Sequence, residues 1–158
     1  TTLNITAADF RFSSAQSLIL PGTLWVDVNA THVRATTASG AGTGWTMAVS
    51  ANALTMPIPL RIGDVITSYS VRVRKQQTAG AITARIYKQE TFSTGTESAE
   101  GAGSSLAAGE SGYLSLSESS LSITIATTYQ YYMVFVPGNS ATPANDVLRD
   151  VIITFTRP

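Results

Sequence analysis

Cysteine is absent from the 158 residues, so no disulfide and no thiolate metal site is available to this chain. Histidine occurs once, at His32, which excludes a two-histidine metal site within one chain. A catalytic role for His32 would need a nucleophile and an orienting acid that no local motif supplies, so it is read as a surface or interface residue. Charge is scarce as well: Asp, Glu, Lys and Arg make up 13% of the residues, about half the usual share, and cancel to zero net charge. Holding a nucleic acid backbone needs a cationic excess, so no nucleic acid partner is expected. A neutral surface resists self-association only weakly, and an oligomer is expected. No apolar run reaches the length of a membrane span, and the first residues lack the basic and apolar regions of a signal peptide. Export is therefore expected only after removal of a leader or within an assembled particle.

What replaces charge is hydroxyl: Ser and Thr together number forty. Thr suits strands, while Ser and Gly suit turns. Strand candidates recur at Leu3–Thr6, Ser17–Leu20, Leu24–Val28, His32–Thr36, Trp45–Val49, Leu54–Leu60, Val65–Lys75, Ala81–Gln89, Tyr113–Leu116, Leu121–Ala126, Tyr129–Val136 and Val147–Thr156. Breakers such as Pro21-Gly22, Ile62-Gly-Asp64, Thr78-Ala-Gly80 and Pro137-Gly-Asn139 separate them. In Val65–Lys75 the apolar Tyr69, Val71 and Val73 alternate with Ser68, Ser70, Arg72 and Arg74. This strand and Ala81–Gln89 are expected to form a hairpin. The last two runs, Tyr129–Val136 and Val147–Thr156, are expected to be long strands of one sheet. No window keeps a helical period over three turns. The expectation is one all-β domain over residues 1–158, an antiparallel, jelly-roll-like β-sandwich.

Gly40-Ala-Gly-Thr-Gly44 lacks the following helix and the Gly-Lys-Ser/Thr element that a phosphate cradle needs, and reads as a hairpin loop. The acids Glu97, Glu100, Glu110, Asp146 and Asp150 show no compact calcium-loop spacing and read as solvated. The sequons Asn4-Ile-Thr6 and Asn29-Ala-Thr31 carry little weight in so Thr-rich a chain. A ligand or interface patch is expected from Arg72, Arg74 and Arg85 on the polar face of the proposed hairpin, with Tyr87 as a stacking platform. Trp45 and Tyr132 are its further aromatic candidates, Tyr132 because alternation turns it opposite Tyr131. Glu97–Gly112 is expected to be an exposed assembly loop, with Glu97, Glu100 and Glu110 on it and Leu106 as its apolar anchor. No cofactor and no catalytic residue are expected.

The runs Pro59–Arg74, Ile82–Lys88, Tyr129–Val136 and Val151–Pro158 resemble small β-sandwich domains of phage and prophage virion proteins, of the tail-fibre head and capsid fibre or decoration types. The resemblance implies a jelly-roll-like unit, often trimeric, that builds or decorates a particle among other virion proteins and sometimes binds a host surface glycan. The leading expectation is accordingly a non-enzymatic structural protein at the virion surface, a homotrimer. Apolar side chains on both faces of the last strand, Ile152 opposite Ile153, also point to a covering partner or loop. The alternative is a carbohydrate-binding, lectin-like module.

Overall fold

The computed structural model describes residues 15–27, 33–35, 44–46, 53–75, 80–91, 97–137 and 147–158, the second and third of these ranges by their backbone only. The candidate strand Leu3–Thr6, His32, the 40–43 glycine loop, both sequons, Asp146 and the side chain of Trp45 lie outside the described residues.

Twelve strands run through the described chain: β1 (Gln16–Leu20), β2 (Val26–Asp27), β3 (Val33–Ala35), β4 (Gly44–Thr46), β5 (Leu54–Pro57), β6 (Val65–Lys75), β7 (Ile82–Glu90), β8 (Ser98–Leu106), β9 (Gly112–Glu118), β10 (Ile123–Thr124), β11 (Tyr129–Val136) and β12 (Val147–Thr156). Among the described residues the only helical element is one 3-10 turn, Gly22–Leu24. Every ladder is antiparallel. A seven-stranded sheet is centred on β6 and β12, with β9 and β10 beyond β6 and β1 and β4–β3 beyond β12. A five-stranded sheet runs β2-β5-β11-β7-β8. The all-β sandwich expected from the alternating strands is the observed fold.

Alternation fills the space between the sheets. Ile66, Tyr69, Val71 and Val73 of β6 and Val151, Ile153 and Phe155 of β12 are buried from one side. From the other come Ile82, Ala84 and Ile86 of β7, Tyr131, Met133 and Phe135 of β11, and Leu54 and Met56 of β5. The Tyr69 hydroxyl crosses the layer and donates to the Ala84 carbonyl at 2.8 Å, and burial pushes its pKa up to about 12. Trp25 is buried against Phe135, ring centroids 6.2 Å apart, and its indole N–H donates to the Arg149 carbonyl at 3.0 Å. That carbonyl approaches so closely that a Cβ on Gly22 would stand 2.5 Å from it, which is why the 3-10 turn begins with glycine.

Three expectations are corrected. β6 and β7 form no hairpin, because they lie in opposite sheets and their apolar faces meet across the core. β11 and β12 likewise belong to different sheets. Residues 98–106 are an edge strand paired with β7 rather than a loop, and Leu106, registered with Ile82, packs on the core. Ala and Gly conceal this strand from a hydrophobic count, since Leu106 is its one large apolar residue and the rest is held by pairing and polar contacts. Ile152 is half-buried and registered opposite Ile19 of β1, so part of its cover comes from within the chain.

The sandwich is clamped at one end by Asp64, which is 1% exposed. Its carboxylate accepts from Arg157 Nε at 2.9 Å, Arg157 Nη2 at 3.0 Å and the Arg61 amide at 3.0 Å. These bonds, the Arg157 ones first, hold the Asp64 carboxyl below its ordinary value of 3.8 against the opposing effect of burial. A depressed folded-state pKa stabilises the fold above the unfolded value, and the contribution is lost as pH falls through the folded one. Denaturant titrations from about pH 5 down to about pH 2 should show wild-type stability falling more steeply than that of Asp64→Asn, which is less stable at neutral pH. Parallel pH profiles for the two proteins would exclude Asp64 as the acid-sensitive clamp.

Candidate functional site

Alternate residues of β7 and β11 must face outward once their neighbours fill the core. Thr83, Arg85 and Tyr87 of β7 and Gln130, Tyr132, Val134 and Val136 of β11 therefore share the outer face of the five-stranded sheet. Tyr87 and Tyr132 are registered cross-strand partners, and their rings stack with centroids 6.2 Å apart and planes 18° from parallel. Two depressions meet at this pair. One, of about 280 Å³, lies between Val134, Val136, Arg85 and Tyr87 and the small residues Gly103, Ser104 and Ser105 of β8. The other, of about 510 Å³, lies at the rim between Pro57, Leu60, Ile62, Thr127, Gln130 and Tyr132. Outward positions 130 to 136 of β11 span roughly 20 Å, enough for an extended ligand.

The wall of the smaller groove is a distortion of β8. Ser104 is registered with Ala84 and Glu100 with Ile86, so Gly101, Ala102 and Gly103 stand opposite the single Arg85. Gly101 and Gly103 take φ of 74° and 84°, which only glycine adopts without strain. Glu118 of β9, in the other sheet, receives the Ala102 amide at 2.6 Å and the Gly103 amide at 3.0 Å. The Arg85 guanidinium donates through Nη2 to the Gly101 carbonyl. Glu118 was not a candidate from the sequence; its only signal is an acid at the end of β9, and nothing local pairs it with the earlier Gly101-Ala-Gly103.

Two polar atoms on this face, Arg85 Nε and Tyr132 Oη, are buried without a hydrogen-bond partner among the described residues. Burial first, and then the Glu97 carboxylate, raises the Tyr132 pKa above its usual value, although Glu97 does not meet hydrogen-bond geometry with it. Unpartnered buried polar groups carry a desolvation cost in the free protein, so each calls for a physical explanation.

Of the expected patch, Arg85, Tyr87 and Tyr132 come together, with Glu97 alongside. Arg72 and Arg74 do not join them: they stand on the outer face of the seven-stranded sheet, since β6 and β7 never pair. Glu100 pairs with Lys88 at 2.6 Å, where Lys88 also lies over the Tyr129 ring, and Glu110 is exposed in the β8–β9 turn. Among the described residues no group of three or more His, Asp or Glu side chains converges as a metal site.

No family model matches the chain, and no curated protein matches it. Solved structures do. The CBM22-1 xylan-binding domain of Paenibacillus barcinonensis Xyn10C superposes with a TM-score of 0.57 at 10% identity, over 89% of this chain and 94% of that one. The CBM36-1 domain of a multidomain xylanase from the hindgut metagenome of Trinervitermes trinervoides gives 0.54 at 11% identity, over 88% and 96%. The C-terminal CBM6 of LamC from Zobellia galactanivorans gives 0.53 at 13% identity, over 88% and 99%. At these identities the likeness is one of fold.

The two buried tyrosine hydroxyls differ in kind, and mutation should separate them. Tyr69→Phe strands the Ala84 carbonyl and should cost about 1–3 kcal/mol in urea denaturation. Tyr132→Phe removes a hydroxyl with no partner and should leave stability unchanged or higher. A comparable loss in both would mean that Tyr132 Oη is a structural donor after all.

Proposed function

We propose that this chain is a non-catalytic carbohydrate-binding module that takes a glycan chain along the outer face of its five-stranded sheet. The observation that carries the reading is the stacked Tyr87–Tyr132 pair at the junction of two grooves. Aromatic faces pack against the C–H faces of sugar rings, while the Ser, Thr and Arg85 groups around them supply hydrogen bonds to hydroxyls. The flanking β8 wall is held by Glu118, so the groove is set before a ligand arrives. Support comes also from the fold, which this chain shares with modules whose names state carbohydrate or xylan binding. Binding should be measured by calorimetry on soluble xylan and on a wider glycan array. Tyr87→Ala and Tyr132→Ala should each weaken the best ligand by roughly tenfold or more, about 1.4 kcal/mol. No glycan bound by the wild type, or affinity indifferent to both changes, would overturn the reading.

Assembly as a homotrimer on a virion surface is the second reading, favoured by one observation. Leu24 and Val26 are 42% and 54% exposed beside the β2 edge, where another copy would cover them. Light scattering should then report a trimer at micromolar concentration and a smaller species for Val26→Ser. A wild-type monomer throughout that range would remove it.

A further inference from the structure

The outer face of the seven-stranded sheet carries a second arrangement, on the opposite side of the molecule from the stacked tyrosines. Tyr113 of β9 is 64% exposed although it is a large aromatic. Two guanidiniums lie over its ring, Arg74 of β6 at 5.8 Å from the centroid and Arg149 of β12 at 5.9 Å. Arg74 and Tyr113 are registered neighbours; Arg149 reaches them through a bulge. Leu148 is registered with Val73 and Val151 with Val71, so Arg149 and Asp150 together stand opposite the single Arg72.

The charges here do not balance. Arg72 donates to Asp150 through Nε at 2.7 Å and through Nη2, which uses the one carboxylate described on this stretch. Burial works against ionisation of Asp150, but the Arg72 bonds and the fields of Arg72 and Arg149 hold its carboxyl below the ordinary value, so it stays charged. Among the described residues three guanidiniums thus share one carboxylate, and neither Arg74 nor Arg149 has an ion-pair partner. In a chain with so few charges, two like charges converging on one exposed ring is a costly arrangement unless an anion joins them. A groove of about 280 Å³ adjoins the pair, lined by Ile19, Pro21, Gly22, Arg72, Arg149 and Asp150.

We infer that this face is a binding site for an acidic polysaccharide, one bearing carboxylate or sulfate groups. The Tyr113 ring would stack on a sugar ring, and Arg74 and Arg149 would take the acidic substituent between them, with planar donors suited to an oxyanion. Seryl hydroxyls of β6 and β9, among them Ser70 and Ser117 (2.9 Å apart), extend the face for neutral hydroxyls. A nucleic acid is disfavoured because two uncompensated cations engage too few phosphates to hold a chain at ordinary salt.

The intact chain should be titrated with polygalacturonate as the carboxylate polymer, dextran sulfate as the sulfate polymer, neutral dextran, and a single-stranded oligodeoxynucleotide, at about 50 and about 200 mM salt. Wild type should bind at least one acidic polymer, more weakly at the higher salt, and whichever acidic polymer binds identifies the substituent. Arg74→Gln and Arg149→Gln should each weaken it by roughly tenfold, Tyr113→Ala comparably, and Tyr113→Phe little, since the ring is kept. Arg149→Gln keeps the backbone carbonyl that Trp25 uses, and unchanged denaturation midpoints will show that the variants are folded. Tyr87→Ala should leave acidic-polymer binding intact, so this site and the one on the five-stranded sheet fail separately. The inference is overturned if neither acidic polymer binds, if binding ignores all three side chains, or if the oligonucleotide or neutral dextran binds as tightly.

Discussion

The structure depends on one constraint: two amphipathic sheets must bury their apolar faces against each other, and a strand has only two faces. Once Val71, Val73, Val151 and Ile153 meet Ile86, Met133 and Phe135, every intervening residue is committed to the outside. Burial at about 25 cal/mol per Å² makes this the dominant favourable term, and a slip of one residue would reverse it for a whole strand. Tyr69 and Trp25 add direction to that non-specific force, each spanning the layers to reach a carbonyl on the opposite sheet. Both outer surfaces with binding character are consequences of the same alternation.

Departures from alternation are what give those surfaces relief. On β8 two extra residues lift Gly101–Gly103 out of the ladder, and the amides they free are taken by Glu118. On β12 one extra residue sets Arg149 and Asp150 side by side and leaves the Arg149 carbonyl for Trp25. In each case a side chain from another strand or layer takes up a displaced backbone group, which lets the distortion persist. A flat sheet face has no walls; these two bulges make one groove edge apiece.

Scarce charge makes each ionic contact easy to interpret. Arg157–Asp64 is partly buried and ties the end of the chain to the turn before β6, which gives it structural weight. Arg72–Asp150 and Lys88–Glu100 are more exposed, and pairs of that kind contribute little to stability. Arg74 and Arg149 around Tyr113, and Arg85 Nε beside Tyr87, belong to none of these pairs. Those groups sit on the two outer faces.

By itself the sequence determined the class of fold, most strand positions and the inward and outward faces of β6, β7, β11 and β12, because the period-2 pattern is local to each of these strands. It turned Tyr132 opposite Tyr131, as the structure has them, and it set Arg85 and Tyr87 on one face of their strand. Which strands pair was decided only by the tertiary structure. β6 and β7 carry patterns equally suited to a hairpin or to stacking across a core, and nothing in either strand distinguishes hydrogen bonding side by side from packing face to face. That single choice moved Arg72 and Arg74 to the far side of the molecule and gave them Tyr113 in place of Tyr87. β8 was hidden for a related reason: an edge strand built of Gly, Ala and Ser contributes backbone pairing rather than apolar burial, and backbone pairing leaves no mark in a side-chain pattern.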